Sequence, residues 1–518
     1  MLRSAGAGEG RQRGREGPQG GATPHPIETD LPGRTGPPYD HPTVTRLVPM
    51  SSVDAAWLGM EDPTNLMMVT GVLMLDGKVD TKRLRVLLDK RLAPFGRFHQ
   101  RVVRPRMRGN LLHWQDDARF DIDNHVSHVA LPEPGGDKAL RELVSELMST
   151  PLDTTKPLWH VHVIDGHDRG SVVLARIHHS IADGIALVRV MLSLTDATPT
   201  APPGRRRSET SSDNAGPLDW LPAAVGSGLA AGQRLIDNPS RIADLARLGA
   251  EGAYRLGRLV ALPPDPKTAF KGELGRRKRA AWSSAVPLDD FKAIGKAFGA
   301  TVNDVLVATA TGALRRYLDR RGEPTTGVSI RASVPVNLRP LDQAHKLGNS
   351  FGLVFLTLPI GTVDPVRRLH SIKKEMDELK RSPEALVAYG VLNLMGLAPV
   401  EVEKLGLRFF GSKATAVLTN VPGPREPLYL AGRKLNNVMF WVPQSGRLGL
   451  GISILSYAGG VMLGVATDEG LVSDPERIVE AFGQEFRALK AAAQKTPRPR
   501  RKARKAPAFD AIRYLVML

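Results

Sequence analysis

The chain has 518 residues, 42% of them hydrophobic and 24% charged, with 71 Lys and Arg against 53 Asp and Glu, a formal charge of +18 and no cysteine. That length exceeds one ordinary core and predicts two domains or a pseudo-duplicated pair, and the composition excludes fibrous, collagenous and wholly disordered classes. The lack of cysteine removes disulfides, thiolate metal sites and cysteine nucleophiles, and it suits a reducing cytoplasm.

Residues 1–44 are rich in Gly, Pro, Arg and Glu and read as a disordered N-terminal tail without the apolar stretch of a secretory signal. Met50 opens the first stretch with a folded pattern, so translation is expected to begin near it. From Val69 to Leu75 the run is strand-like; Asp76-Gly77 supplies a turn, and Leu84, Leu87, Leu88 and Leu92 follow at helical spacing. The order recurs as a strand from Ser171 to His178 and a helix from Ile185 to Leu194, so residues 45–200 read as an α/β domain. Residues 201–280 read as a loop and helical connector, Pro- and Ser-rich at first and basic at the end. A second α/β domain is expected over 281–492. It carries a helix from Thr301 to Tyr317, a strand from Ser329 to Val336, and two strands flanking Ala458-Gly459-Gly460 as a hairpin. Residues 493–518 form a basic tail. No stretch reaches the roughly 20 apolar residues of a transmembrane helix. The nearest, Ala385 to Val400, is interrupted by Gly390, Gly396 and Pro399, and fits an acyl tunnel wall, a bilayer contact or the core.

The chemistry concentrates in His178-His179-Ser180-Ile181-Ala182-Asp183-Gly184, where a strand gives way to a helix. Acyl transfer to an alcohol needs a base that titrates near neutrality, and imidazole does. A strand-end loop presents such a side chain to a cleft while the sheet holds its backbone. Adjacent strand residues face opposite sides, so one histidine is chemical and the other supports it. Asp183 is placed to orient the imidazole, to pair with an arginine, or to cap the following helix. Gly184 permits close approach of substrate or chain. A metal site at His178, His179 and Asp183 is disfavoured because the side chains diverge, and no Gly-x-Ser-x-Gly elbow surrounds Ser180.

Several other segments stand beside this motif: Ser52-Val53-Asp54 on to Asn65, Pro157-Leu158-Trp159, Thr301 to Asp304, Val334 to Arg339, Leu347-Gly348-Asn349, Thr419 to Pro424, and Leu455 to Gly459. Together with His-His-x-x-x-Asp-Gly they resemble, in order from about residue 50 to 490, the bacterial wax ester synthase/diacylglycerol acyltransferase family of the CoA-dependent acyltransferase superfamily. The resemblance implies two chloramphenicol-acetyltransferase-like domains with mixed sheets, an active-site tunnel between them and a helical connector. It makes His179 the base, His178 its support and Asp183 a structural residue paired with an arginine, for which Arg97 and Arg101 are the candidates. It further implies transfer of a long-chain acyl group from acyl-CoA to diacylglycerol or a long-chain alcohol, with acyl-CoA as co-substrate, no cofactor and no metal. A cytoplasmic protein in peripheral contact with a membrane or lipid-droplet surface, without specific nucleic-acid binding, is expected. The chain departs from the family between Gly204 and Pro217, in the tail from 495, and at His160, where an acidic residue is expected.

Each supporting segment also has a plain structural reading. Thr301-Val302-Asn303-Asp304 makes a capping box, or it sets Asn303 near the cleft as an oxyanion donor. Pro157-Leu158-Trp159 is a strand entry with a core tryptophan, or part of the substrate-binding wall. Asn420-Val421-Pro422-Gly423-Pro424 forms a rigid turn, with Gly423 free to take φ above zero, and shapes a CoA channel or joins strands. Arg276, Arg277, Lys278 and Arg279 meet CoA phosphates or form a solvated loop. Two rivals remain: a carrier-protein-dependent condensation or acyltransfer domain, and a non-catalytic lipid or nucleic-acid binding protein that uses its basic tail.

Overall fold

A computed structural model of the chain describes residues 47–496 apart from 106–111, 169, 202–256, 258–260, 339–346, 348, 350, 381–387, 389–405, 407, 410, 445 and 447. The expected disordered tail at 1–44, most of the connector, most of Ala385 to Val400 and the basic tail beyond 496 lie outside the described residues.

In chain order the first strands are β1 (Leu47–Pro49), β2 (Met68–Leu75), β3 (Gln100–Val103), β4 (His113–Asp116), β5 (Val126–Ala130), β6 (Trp159–His167), β7 (Gly170–His178) and β8 (Lys278–Trp282). They continue as β9 (Val286–Pro287), β10 (Ile330–Asn337), β11 (Phe351–Leu358), β12 (Ala416–Pro422), β13 (Tyr429–Leu430), β14 (Arg433–Trp441), β15 (Leu450–Tyr457) and β16 (Gly460–Asp468). The helices are α1 (Ser52–Gly59), α2 (Thr81–Leu92), α3 (Gly136–Met148), α4 (Gly184–Ser193), α5 (Leu288–Phe298), α6 (Val302–Arg320), α7 (Pro365–Leu379) and α8 (Glu476–Lys495).

Two larger sheets organise these elements. The first runs β13-β14-β2-β7-β6-β5 and the second β11-β10-β12-β15-β16-β8, with β9 beside β16. Each mixes parallel and antiparallel pairs: β5 and β6 run parallel in the first, and β10, β12 and β15 in the second. Buried strands read as continuous apolar runs, and all nine residues of β7 are buried. A core under β10, β11, β12, β15 and β16 includes the wholly buried Phe291, Leu314 and Phe482 of α5, α6 and α8. On the first sheet Leu84, Leu87, Leu88 and Leu92 of α2 pack on Leu73, Val173 and Ile177.

Local chemistry sets the ends of the elements. Asp80 caps α2 by accepting from Lys82 and Arg83 N–H at 2.9 and 3.2 Å. Thr301 and Asp304 close a reciprocal capping box on α6, at 2.8 and 3.2 Å. Between β15 and β16, Ala458 and Gly459 take φ of 46° and 81°, the two left-handed residues that a tight hairpin turn needs.

Two features depart from the sequence reading. Packing of the second half starts before residue 281: Asp265 is buried and pairs with Arg331 at 3.1 Å, Phe270 is fully buried, and β8 begins at Lys278. The Pro-rich, basic composition of 263–280 hides these three anchors. The second half also returns β13 and β14 to the first sheet, where Leu435 to Trp441 pair antiparallel with Leu75 to Thr70 of β2. Strand pairing across more than 350 residues leaves no local pattern to read.

Candidate active site

The β2–β7 ladder pairs Met68 with His178 and extends one bond further, from His179 N–H to the Met67 carbonyl at 2.8 Å. Strand alternation therefore persists through the histidine pair and sends the two rings to opposite sides. His178 accepts from Ser180 N–H on Nδ1 at 3.1 Å, which assigns Nε2–H as the donor to Glu61 Oε2 at 2.7 Å. Burial alone would raise the Glu61 carboxyl, but the hydrogen bonds from His178 and from the Met67 N–H outweigh it, holding it below the ordinary carboxylate range. His178 is tied to protein groups on both ring nitrogens.

His179 faces an apolar cavity of about 150 Å³. First-sheet residues Val69, Gly71, Ala175 and Ile177 line it, as do second-sheet residues Ser333, Phe351, Val421 and Leu455. Trp57 stacks on the imidazole with ring centroids 4.1 Å apart, and Phe351 tilts against it at 5.5 Å. Burial pushes the His179 pKa down to about 3; the neighbouring His178 adds to the fall, while Asn349 and the residue's own carbonyl oppose it. The ring is thus neutral at any physiological pH. Its Nδ1 is buried without a hydrogen-bond partner.

The loop after His179 is held from three directions. Asn349 donates its side-chain amide to the His179 carbonyl and to Asp54 Oδ1, both at 2.8 Å, and its backbone N–H reaches the same Oδ1 at 3.1 Å. Asp54, fully buried on α1, pairs through Oδ2 with Arg97 at 2.9 Å. Arg97 also donates to the carbonyls of Ser180 and Ile181, at 3.3 and 2.9 Å. Asn349 and Arg97, both anchored on Asp54, therefore donate to three successive carbonyls, at positions 179 to 181.

Other expected residues fall in different places. Asp183 caps α4, accepting from Ala186 N–H at 3.0 Å. Of the two arginines expected beside it, Arg97 pairs with Asp54 at 2.9 Å and Arg101 bonds Gln115 at 3.1 Å. Gly184 opens α4 and lines the cavity. Gly423 lines it as well, but not with φ above zero: a Cβ there would meet the Ser456 carbonyl oxygen at 2.4 Å, so close strand approach demands the glycine. Asn303 and Asn420 bond each other at 2.7 Å. Neither they nor Pro422 are among the cavity-lining residues. Pro157, Leu158 and Trp159 do not line it either: Trp159 donates Nε1–H to the Phe98 carbonyl at 2.8 Å and stacks on His125 inside the first-sheet core. His160 shares a 2.7 Å hydrogen bond with the Ser127 hydroxyl. Of the basic run, Lys278 forms a buried ion pair with Asp468 at 2.7 Å, whereas Arg277 is exposed beside Glu469.

Trp57, Glu61, Asp54 and Asn349 carry no role in the sequence reading. Two of the segments quoted there contain them, Ser52 to Asn65 and Leu347 to Asn349, so their recurrence beside the histidine motif is the signal that could have found them.

Two family models match the chain: the wax ester synthase/diacylglycerol acyltransferase catalytic domain over residues 50–306 and the WS/DGAT C-terminal domain over 347–490. The chain belongs to the wax ester synthase/diacylglycerol acyltransferase family. It is 32% identical over 403 residues to Mb2306 of Mycobacterium bovis, described provisionally as a diacylglycerol O-acyltransferase, covering 74% of this chain and 85% of that one. Tgs1 of Mycobacterium tuberculosis, described as a probable diacylglycerol O-acyltransferase, is 28% identical over 84% of this chain and 94% of its own. Among solved structures, the wax ester synthase/diacylglycerol acyltransferase of Marinobacter aquaeolei VT8 superposes with a TM-score of 0.62 at 24% identity, over 86% of this chain and all of that one. The first condensation domain of the calcium-dependent antibiotic synthetase shares the fold at a TM-score of 0.57 and 15% identity, over 87% of this chain and 97% of its own. In family terms the matched span takes in both histidines and all three residues that grip the loop. Among the described residues, no group of three or more His, Asp and Glu stands where it could hold a metal ion.

Proposed function

We propose that this family member moves a long-chain acyl group from acyl-CoA to diacylglycerol or a long-chain alcohol, giving triacylglycerol or wax ester, with His179 as the catalytic base. The observation that carries the assignment of the base is the position of His179: of the described residues that line the apolar cavity, it is the one with an imidazole, whose ring nitrogen can take a proton from an acceptor hydroxyl. The acceptor hydroxyl gives its proton to His179 as its oxygen bonds to the thioester carbonyl carbon. Negative charge developing on the carbonyl oxygen stabilises the imidazolium against its apolar surroundings. Collapse breaks the carbon–sulfur bond, and the proton passes to the departing thiolate, so ester and CoA thiol leave without an acyl-enzyme.

In this reading residues 45–200 and about 265–492 form two acyltransferase halves, the second lending β13 and β14 to the first sheet, that meet at a tunnel containing His179. Support comes from the cavity walls, which draw on both sheets. Acceptors of this kind dissolve in lipid, and a chain of charge +18 is attracted to anionic headgroups, which supports peripheral contact with a membrane or droplet on its cytoplasmic side. Among the described residues no single helix is long and apolar enough to cross a membrane.

The test is thiol release from palmitoyl-CoA with hexadecanol or dioleoylglycerol present or absent. Acceptor-dependent release with matching ester formation is expected. Release that needs a carrier protein instead would support the condensation-type reading, whose domains share this fold.

A further inference from the structure

We propose that Gly71 sets the length of alkyl chain that the cavity accepts, as a specificity-determining residue of the reaction proposed above, on which this inference rests. Val69, Gly71 and Leu73 alternate onto one face of β2, and all three line the cavity. Across the ladders Gly71 pairs with Ala175 of β7 and Phe440 of β14, which line it too. The wall is therefore cut back at adjoining positions, 71 and 175, between rows carrying Ile177 and Val69 on one side and Leu73 and Val438 on the other.

Nothing in the backbone asks for glycine at 71. Its φ is not left-handed, and a Cβ built there would meet no atom within 4 Å. The contrast with Gly423 is direct, since a Cβ at that cavity-lining glycine would strike a carbonyl oxygen. An interior strand glycine weakens its strand and, without a bulge or turn, marks a place where something else approaches the backbone. Here the approaching volume is the cavity itself. His179 lies on the same strand face as Ala175, four residues further along, so the Gly71 row sits about 13 Å from it at the rise of an extended strand. An octanoyl chain with its carbonyl at His179 ends short of that row, and a palmitoyl chain passes it. The ligand is a saturated alkyl chain, belonging either to the thioester or to the alcohol.

Gly71→Leu and Gly71→Ala test this. One arm compares octanoyl-CoA with palmitoyl-CoA at fixed hexadecanol, and the other compares octanol with hexadecanol at fixed palmitoyl-CoA. Gly71→Leu should lower the long-to-short ratio of kcat/KM by about tenfold or more. Gly71→Ala should lower it less and in the same direction. The arm in which the ratio falls identifies which chain runs past residue 71. Quenching of Trp57, which lines the same cavity, reads the long-to-short preference in binding without turnover. A parent protein that binds the chains but turns over none would therefore count against the acyltransferase reading while leaving the Gly71 inference measurable. A ratio unchanged in both arms and in binding overturns the inference, as does an equal loss for short and long chains. If Gly71→Leu does not fold, the Gly71→Ala ratio alone decides.

Discussion

Replacing Asn349 with alanine removes the two side-chain hydrogen bonds that join Asp54 to the carbonyl of His179, each 2.8 Å long. A bond to a neutral carbonyl contributes about 1 kcal/mol and one to a carboxylate about 1.5–3 kcal/mol, so the expected loss is about 3 kcal/mol, a large share of ordinary domain stability. Asp54 keeps its Arg97 partner and the Asn349 backbone N–H, which limits any further penalty. The His179 carbonyl, in contrast, loses its side-chain tether, and a shift of about 1 Å at a reacting group costs on the order of a hundredfold in rate. Because Asn349 does not line the cavity, kcat for palmitoyl-CoA and hexadecanol should fall by about that factor with KM little changed. Urea unfolding gives the stability and thiol release gives the kinetics. A loss under about 1 kcal/mol together with an unchanged kcat would refute the view that Asn349 holds the loop.

Further expectations follow from the same contacts. The folded pKa of His179 is about 3, below the unfolded value near 6.5, so below pH 6.5 the unfolded chain binds a proton that the folded one does not. Its contribution is complete above pH 6.5 and falls by about 1.4 kcal/mol per pH unit beneath, reaching a loss of about 2 kcal/mol at pH 5. A His179→Gln protein should show a correspondingly flatter fall in urea stability between pH 6.5 and 5. An equal slope in both proteins would contradict the burial assigned to the ring. Asp183→Ala removes the cap of α4 and should destabilise by about 1 kcal/mol or more in the same denaturation assay; an unchanged stability would contradict the capping role. Lys278→Ala leaves Asp468 buried without its cation and should cost about 3 kcal/mol or more, whereas Arg277→Ala, at an exposed pair, should stay within about 1 kcal/mol. Comparable effects at the two positions, measured by urea unfolding, would point to a role for the basic run beyond these ion pairs.

What the sequence made legible is local. Val69 to Leu75, Ser171 to His178, the helix after Thr301 and the turn at Ala458-Gly459 each carry their pattern within a dozen residues, and the structure places β2, β7, α6 and the β15–β16 turn there. Alternation alone sent the two histidine rings to opposite sides; the family resemblance, not the pattern, singled out His179 as the base. The grip on the loop was not legible, because Asp54 and Asn349 stand 295 residues apart and nothing in either segment marks the other as its partner. Trp159 shows the opposite limit: a tryptophan at a strand entry suits a core or a substrate wall equally by residue type, and only its bond to the Phe98 carbonyl and its stacking on His125 place it in the core. The same holds for Lys278, whose basic neighbours suggested solvent or phosphate, and whose partner Asp468 is 190 residues away.

The central claim is that His179 takes the proton from the acceptor hydroxyl. Its most direct test is ester formation from palmitoyl-CoA and hexadecanol by the parent protein and by His179→Ala, with the urea unfolding of both recorded. The mechanism predicts a folded variant whose ester formation is lower by on the order of a hundredfold or more. A folded His179→Ala protein that forms ester at close to the parent rate would contradict it.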